Sequence, residues 1–299
     1  MSLMLTRRAA LIGAACLLPA TRLSAASLTG DAALQDAEKK LAGLEKKYGG
    51  RLGVMVLDTE TKAHFGRRID ERFAMCSSFK WLAAAYVLKR VDDGKEQLAR
   101  KISYSEKDLL SYAPEAKKHV GEGGMTLGDL CAAAVEWSDN TAANLVLASF
   151  GGPKALTQFL RASGDKVTRL DRNEPTLNTA IAGDPRDTTS PQAMVQNLQN
   201  LLLGTLLSDA SRQRLTTWMA NSHTGNKRLR AGLPDGWRDG DKTGTGDHAT
   251  ANTASIIWPP KGAPILAAVY YTASSASRDQ QDGVHAEVGR ILAATFPHS

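Results

Sequence analysis

The stretch MCSSFKWLAAAYVLKRV, residues 75–91, decides how the chain is read. From Phe79 to Leu88 it is apolar on nearly every side, as a helix buried in a core is, yet Lys80 stands near its start. A buried ammonium is expensive without partners. Ser77 lies three residues earlier, so on a helix its hydroxyl and the Lys80 amine share one face about a turn apart. A serine and a lysine at the mouth of a buried helix call for a chemical explanation.

The other segments take their places around that helix. Residues 31–48 carry Leu and Ala at helical spacing and stop at Gly49-Gly50. RLGVMVLDTE and KAHFGRRI read as a strand pair turning around Thr59–Thr61. Helical patterns then cover 77–91, 127–135, 139–149, 152–163, 190–203 and 208–220, with Asp139, Ser190 and Ser208 as N-caps. Strand patterns return in RLRAGLP, GWRDGDKTGT, TANTASIIWPP and APILAAVYYTA, before a last helix over 279–296. Strands from both ends of the chain must share one sheet. The expected fold is α+β, with a mainly antiparallel sheet, an α/β domain from 27–68 and 221–299, and an inserted all-helical domain over 69–220.

Composition narrows the function classes. A chain of 299 residues with 42% apolar content can bury a large core. Residues 1–26 differ from the rest: Arg7 and Arg8 precede an apolar run over 9–20, and small residues follow at Ser24, Ala25 and Ala26. This is an export signal, cleaved after Ala26, by the general or the twin-arginine route. Its apolar run is too short to span a bilayer, and Gly13 argues against lipid attachment at Cys16. The expected location is the periplasm, without stable membrane association. Removing Arg7, Arg8 and Arg22 leaves 34 basic residues against 31 acidic, so no nucleic-acid partner is called for. Cys76 and Cys131 remain after the signal, and both stand in apolar helical contexts where free thiols behave as small hydrophobes.

Three short signals occur in order: SSFK at 77–80, SDN at 138–140 and KTG at 242–244. Singly, they read as a helix-capping serine, another cap and a turn with a solvated lysine. Together, each at a secondary-structure boundary, they form the S-x-x-K, S-D-N and K-T-G set of penicillin-recognising serine enzymes. The irregular segment DRNEPTLNTAIAGDPRDTTSP, starting at Asp171, is long enough to be functional, and its Glu174 and Asn178 can face one pocket.

Over essentially the whole mature sequence the chain thus resembles the class A serine β-lactamases. The resemblance makes 171–188 an omega loop closed by a salt bridge between Arg172 and Asp187. It implies hydrolysis of β-lactam antibiotics, penicillins and cephalosporins, through a serine acyl-enzyme, by a monomer without cofactor or metal. Ser77 is the implied nucleophile, with Lys80 or Glu174 as its base and the Ser77 and Thr245 amides as oxyanion hole. Ser138 protonates the departing nitrogen, Glu174 and Asn178 activate the deacylating water, and Lys242 completes the catalytic group. Tyr112, Asn140, Thr243, Gly244 and Arg228 are the implied substrate contacts. Gly246 stands where carbapenem-hydrolysing members bridge a cysteine to the equivalent of Cys76, and Ala84 where others pair one with the equivalent of Cys131. Neither bridge is expected.

Rival readings are weaker. A penicillin-sensitive carboxypeptidase or transpeptidase shares the three motifs but lacks a deacylating glutamate, and a non-catalytic penicillin sensor is normally attached to a membrane span. The histidines, at 64, 119, 223, 248, 285 and 298, form no H-E-x-x-H or Cys/His cluster. GTGDHA opens no helix, GDKT lacks the P-loop spacing, and no G-x-S-x-G elbow occurs.

Overall fold

The computed structural model describes residues 25–297; the expected export signal lies almost wholly outside them. The strands in chain order are β1 (Arg51–Asp58), β2 (His64–Arg67), β3 (Phe73–Ala74), β4 (Lys101–Ile102), β5 (Met125–Thr126), β6 (Thr188–Thr189), β7 (Arg238–Gly246), β8 (Thr250–Trp258) and β9 (Ile265–Thr272). The helices are α1 (Ala25–Tyr48), α2 (Lys80–Asp92), α3 (Leu127–Glu136), α4 (Asn140–Ser149), α5 (Gly152–Ala162), α6 (Pro191–Leu198), α7 (Asp209–Ala220) and α8 (Arg278–Thr295). One antiparallel sheet runs β2-β1-β9-β8-β7, so strands from both chain ends do pair, with β1 against β9 over eight residue pairs. The α+β expectation holds. Two short ribbons, β3 with β6 and β4 with β5, lie apart from the sheet.

The period-two alternation of the central strands feeds two cores. Ala267, Val269 and Tyr271 of β9 join Leu52, Val54 and Val56 of β1 in a cluster with Leu41 of α1 and Val284, Val288 and Leu292 of α8. Leu266, Ala268 and Tyr270 point the other way, into the cluster that holds α2, α3 and α4. α2 is buried along most of its circumference, as its sequence requires: Trp81, Leu82, Ala83, Ala84, Ala85, Val87 and Leu88 are all inaccessible or nearly so. Apolar contact on both sides fixes α2, and with it whatever stands at its N-terminus.

The expected caps form. Asp139 accepts from the Ala142 amide, Ser190 from Ala193 and Ser208 from Ser211. Two expectations are corrected. RLRAGLP is no strand; Leu229–Gly232 form a 3₁₀ turn packed on α8, so closely that a side chain at Gly232 would strike the Ala286 carbonyl. The helix expected over 190–203 ends at Leu198, after which Gln199–Leu203 widen into a π turn. Cys76 and Cys131 are free and buried. Among the described residues no helix is long and apolar enough to cross a membrane.

Candidate active site

A 3₁₀ turn over Cys76–Phe79 leads into α2 and places Ser77 one turn before the buried helix proper. Ser77 lines a cleft of about 300 Å³ together with Tyr112, Ser138, Asn140, Asn178, Thr224, Arg228, Thr243 and Thr245. Lys80, Glu174 and Lys242 lie beneath its floor, buried, with both lysines wholly inaccessible. Residues scattered from 77 to 245 thus converge on one place.

The Lys80 ammonium is tolerated because three acceptors meet its three donors. They are the Ser138 carbonyl at 2.7 Å, Asn140 Oδ1 at 2.5 Å and Glu174 Oε1 at 3.0 Å. Burial pulls the Lys80 pKa below the ordinary lysine range, and the Glu174 carboxylate opposes that pull. Lys242 is depressed further, first by burial and then by the charge of Lys80. Its Nζ donates to Ser138 Oγ at 3.0 Å and to the Thr243 carbonyl at 2.7 Å. Ser138 Oγ also lies 3.4 Å from Lys80 Nζ. As an ammonium Lys242 only donates, so Ser138 Oγ accepts from it, and the hydroxyl's own proton is free to point into the cleft. Ser138 is held there in a left-handed conformation, φ +59°, by a loop whose next residue, Asp139, caps α4 and accepts from the Glu115 and Ala116 amides.

Glu174 meets Ser77 directly. Ser77 Oγ donates to Glu174 Oε1 at 3.0 Å, and Asn178 Nδ2 donates to Oε2 at 2.5 Å. The carboxylate is fixed at its backbone by Asn144, whose amide side chain accepts from Glu174 N and donates to Glu174 O, both at 2.9 Å. The loop is closed by Arg172, whose Nε donates to Asp187 Oδ2 at 2.5 Å and whose Nη1 reaches Thr179. Cys76 is no competing nucleophile, because full burial drives its thiol pKa upward.

The remaining expected residues fall on the walls. Thr243 and Thr245 line the cleft from β7, while Gly244 turns its α-carbon against the Met75 carbonyl, where a Cβ would come within 2.5 Å. Gly244 is therefore the residue that lets β7 lie against the Ser77 turn, and it does not itself line the cleft. Tyr112, 49% exposed, stands at the mouth, its hydroxyl donating to the Trp137 carbonyl at 3.3 Å. Arg228 is buried: its guanidinium donates to the Gly244 and Asn252 carbonyls at 2.8 and 2.7 Å, to Thr245 Oγ1 at 2.7 Å and to Asp282 at 2.8 Å. It sits immediately before the 3₁₀ turn, and no strand carries it. A side chain at Gly246 would come 2.6 Å from both Cys76 Sγ and the Asn178 carbonyl, so this glycine seats the omega loop on β7. Two contributors escape the sequence reading. Asn144 stands four residues after Asn140, on the same face of α4, and that spacing was the available signal. Thr224, whose hydroxyl pairs with Thr243 Oγ1 at 2.6 Å, gave none.

A sequence model of the beta-lactamase enzyme family matches residues 36–296. The chain belongs to the class A β-lactamases. It is 49% identical over 257 residues to β-lactamase CTX-M-8 of Citrobacter amalonaticus, covering 86% of this chain and 88% of that protein. It is 46% identical over 270 residues to β-lactamase Toho-1 of Escherichia coli, covering 90% and 92%. Among solved structures, an ancestral class A β-lactamase superposes with a TM-score of 0.86 at 58% identity, over 87% of this chain and all of that one. This class A enzyme hydrolyses the amide bond of β-lactam antibiotics through a serine acyl-enzyme and so confers resistance.

Proposed function

We propose that Ser77 attacks the lactam carbonyl while Glu174 takes its proton. The hydrogen bond from Ser77 Oγ to Glu174 Oε1 carries this reading, since no bond of that kind joins Ser77 to Lys80 among the described residues. Lys80 then holds the carboxylate and Ser138 in place as a cation. As the ring C–N bond breaks, the nitrogen takes the Ser138 proton, and the buried lysines, depressed toward their neutral forms, supply the replacement. Glu174 passes the proton it took from Ser77 back to the buried lysines through Lys80, 3.0 Å away. In the second step Glu174, oriented by Asn178, removes a proton from water, whose oxygen displaces Ser77 Oγ from the acyl carbon, and Ser77 Oγ takes that proton as it leaves. The amides of Ser77 and Thr245 form the oxyanion hole, worth about 100- to 1000-fold in rate.

Penicillins and cephalosporins are the proposed substrates. Their carboxylate meets Thr243, Thr245 and Arg228, the last mainly by holding the Thr245 hydroxyl; Asn140 and Tyr112 contact the acylamino side. The chain is read as an α/β unit (27–68 and 221–299) and a helical unit (69–220) with the chemistry at their seam. The enzyme is proposed to work as a monomer in the periplasm.

The test is a pair of variants. Ser77→Ala abolishes turnover of a chromogenic cephalosporin. Glu174→Ala slows acylation and slows deacylation still more, so acyl-enzyme accumulates, seen by intact mass. A Glu174→Ala protein that deacylates at the wild-type rate sinks the assignment.

A further inference from the structure

A second cavity, about 640 Å³ and larger than the catalytic cleft, opens between residues 180–186 of the omega loop, the β7–β8 turn and the end of β9. None of Ser77, Lys80, Ser138, Glu174 or Lys242 lines it. Its walls are apolar at Phe73, Ile181, Ala182 and Pro185, and Ile181 is a large side chain left half exposed. Its charged lining is four arginines against two carboxylates. Arg51 is held by Glu71 at 2.7 Å and lies over the Phe73 ring, Arg172 is held by Asp187, and Arg186 by Asp184 at 2.7 Å. Arg72 has only neutral acceptors among the described residues, the Val167 carbonyl at 2.9 Å and Thr188 Oγ1 at 3.0 Å. An apolar chamber with one cation left uncompensated suits an aromatic body bearing a single negative group.

The same walls are strained. Ala180, His248, Ala249 and Ala273 all line the cavity, and all hold left-handed φ values of +46°, +53°, +55° and +58°. Such residues persist only where their surroundings over-determine them, and they gather at sites with a mechanical role. These connect directly to the deacylating pair. The Ala273 amide donates to the His248 carbonyl at 2.8 Å. One residue back, the Asp247 amide donates to the Asn178 carbonyl at 2.9 Å, and Asn178 in turn holds Glu174.

We infer that this cavity is a second ligand site, for a hydrophobic aromatic monoanion, and that filling it slows deacylation by parting the β7–β8 turn from Asn178. The coupling rests on the proposed role of Glu174 and Asn178; the binding does not.

The probe is anilinonaphthalene sulfonate, used on the full-length mature enzyme. One saturable site is expected by fluorescence, retained when Ser77 is acylated. Ala182→Trp, which puts an indole into the chamber, and Ile181→Asp each weaken the site at least about tenfold, and Arg72→Ala weakens it about tenfold by removing the lone cation. All three substitute exposed residues outside the catalytic group, so basal turnover stays unchanged. In single-turnover experiments the probe lowers the decay rate of the acyl-enzyme about threefold or more, and Ala182→Trp removes that effect. Binding that survives Ala182→Trp and Ile181→Asp, or that disappears on acylation of Ser77, overturns the site. Binding at the site with the decay rate unchanged overturns the coupling. A failure of the Glu174 assignment shows separately, as normal deacylation in Glu174→Ala without probe.

Discussion

Asp239 and Asp241 stand two apart on β7, so both side chains leave the same face of the strand, and both are buried. Arg230 touches both, at 3.4 Å from Asp239 Oδ2 and 3.1 Å from Asp241 Oδ2, while Ser222 donates to Asp241 at 2.7 Å and Ser255 to Asp239. One guanidinium and two hydroxyls cannot offset two charges taken out of water. Burial first, and the Asp241 charge second, push the Asp239 pKa well above the ordinary carboxylate range. The folded protein therefore binds a proton that the unfolded chain releases near pH 4. Asp239 contributes stability that is present below that pH and is lost as pH rises through its folded pKa. Inside the window one proton is worth about 1.4 kcal/mol per pH unit, and in a chain of this size that is about 2–3 °C of melting temperature per unit. Asp239→Asn keeps the shape and cannot ionise. Thermal unfolding from pH 4 to 9 is expected to give curves that converge at the acid end and separate as pH rises, with the variant the more stable. The difference cancels every other titrating group, so two parallel curves refute the shared-proton account.

Three further perturbations test the site. Asn144→Ala removes both bonds that hold the Glu174 peptide, about 1 kcal/mol each, so deacylation slows about tenfold or more and acyl-enzyme accumulates in quenched turnover; an unchanged steady-state population contradicts this. Arg228→Ala leaves the Asp282 carboxylate unpaired and the Gly244 and Asn252 carbonyls without their guanidinium, so stability falls by about 3 kcal/mol or more along with kcat/KM, read by denaturant unfolding and steady-state kinetics. Ala249→Gly relieves a left-handed alanine in the β7–β8 turn and raises the melting temperature by about 1–4 °C, and a fall shows that the turn is not strained.

What the sequence made legible follows from what chemistry fixes locally. Ser77 and Lys80 could be placed on one face because three residues of helical chain set their spacing, and Asp139, Ser190 and Ser208 could be read as caps because a cap bonds an amide three residues on. The antiparallel sheet followed from alternation in strands at both chain ends. Arg228 was misplaced because RLRAGLP alternates like a strand, and nothing local says that its guanidinium is consumed by two carbonyls of β7 and β8 and by Asp282 of α8. The contact of Thr224 lies 19 residues away in the chain, beyond any local pattern, and that of Asn144 lies 30 away, so its spacing from Asn140 could give the helix face and not the partner.

The least legible feature also bears most on the chemistry. From spacing alone Lys80 is the natural partner of Ser77, one turn along the same helix, yet the Ser77 hydroxyl turns to a carboxylate 97 positions away. The Lys80 ammonium makes its short contacts elsewhere, to the Ser138 carbonyl, Asn140 and Glu174. The Ser77 proton goes to Glu174 while the Lys80 ammonium is spent on the SDN loop and on that same carboxylate. The SDN loop supplies two of those three contacts, the Ser138 carbonyl and the Asn140 side chain, so its conformation sets where the Lys80 ammonium points.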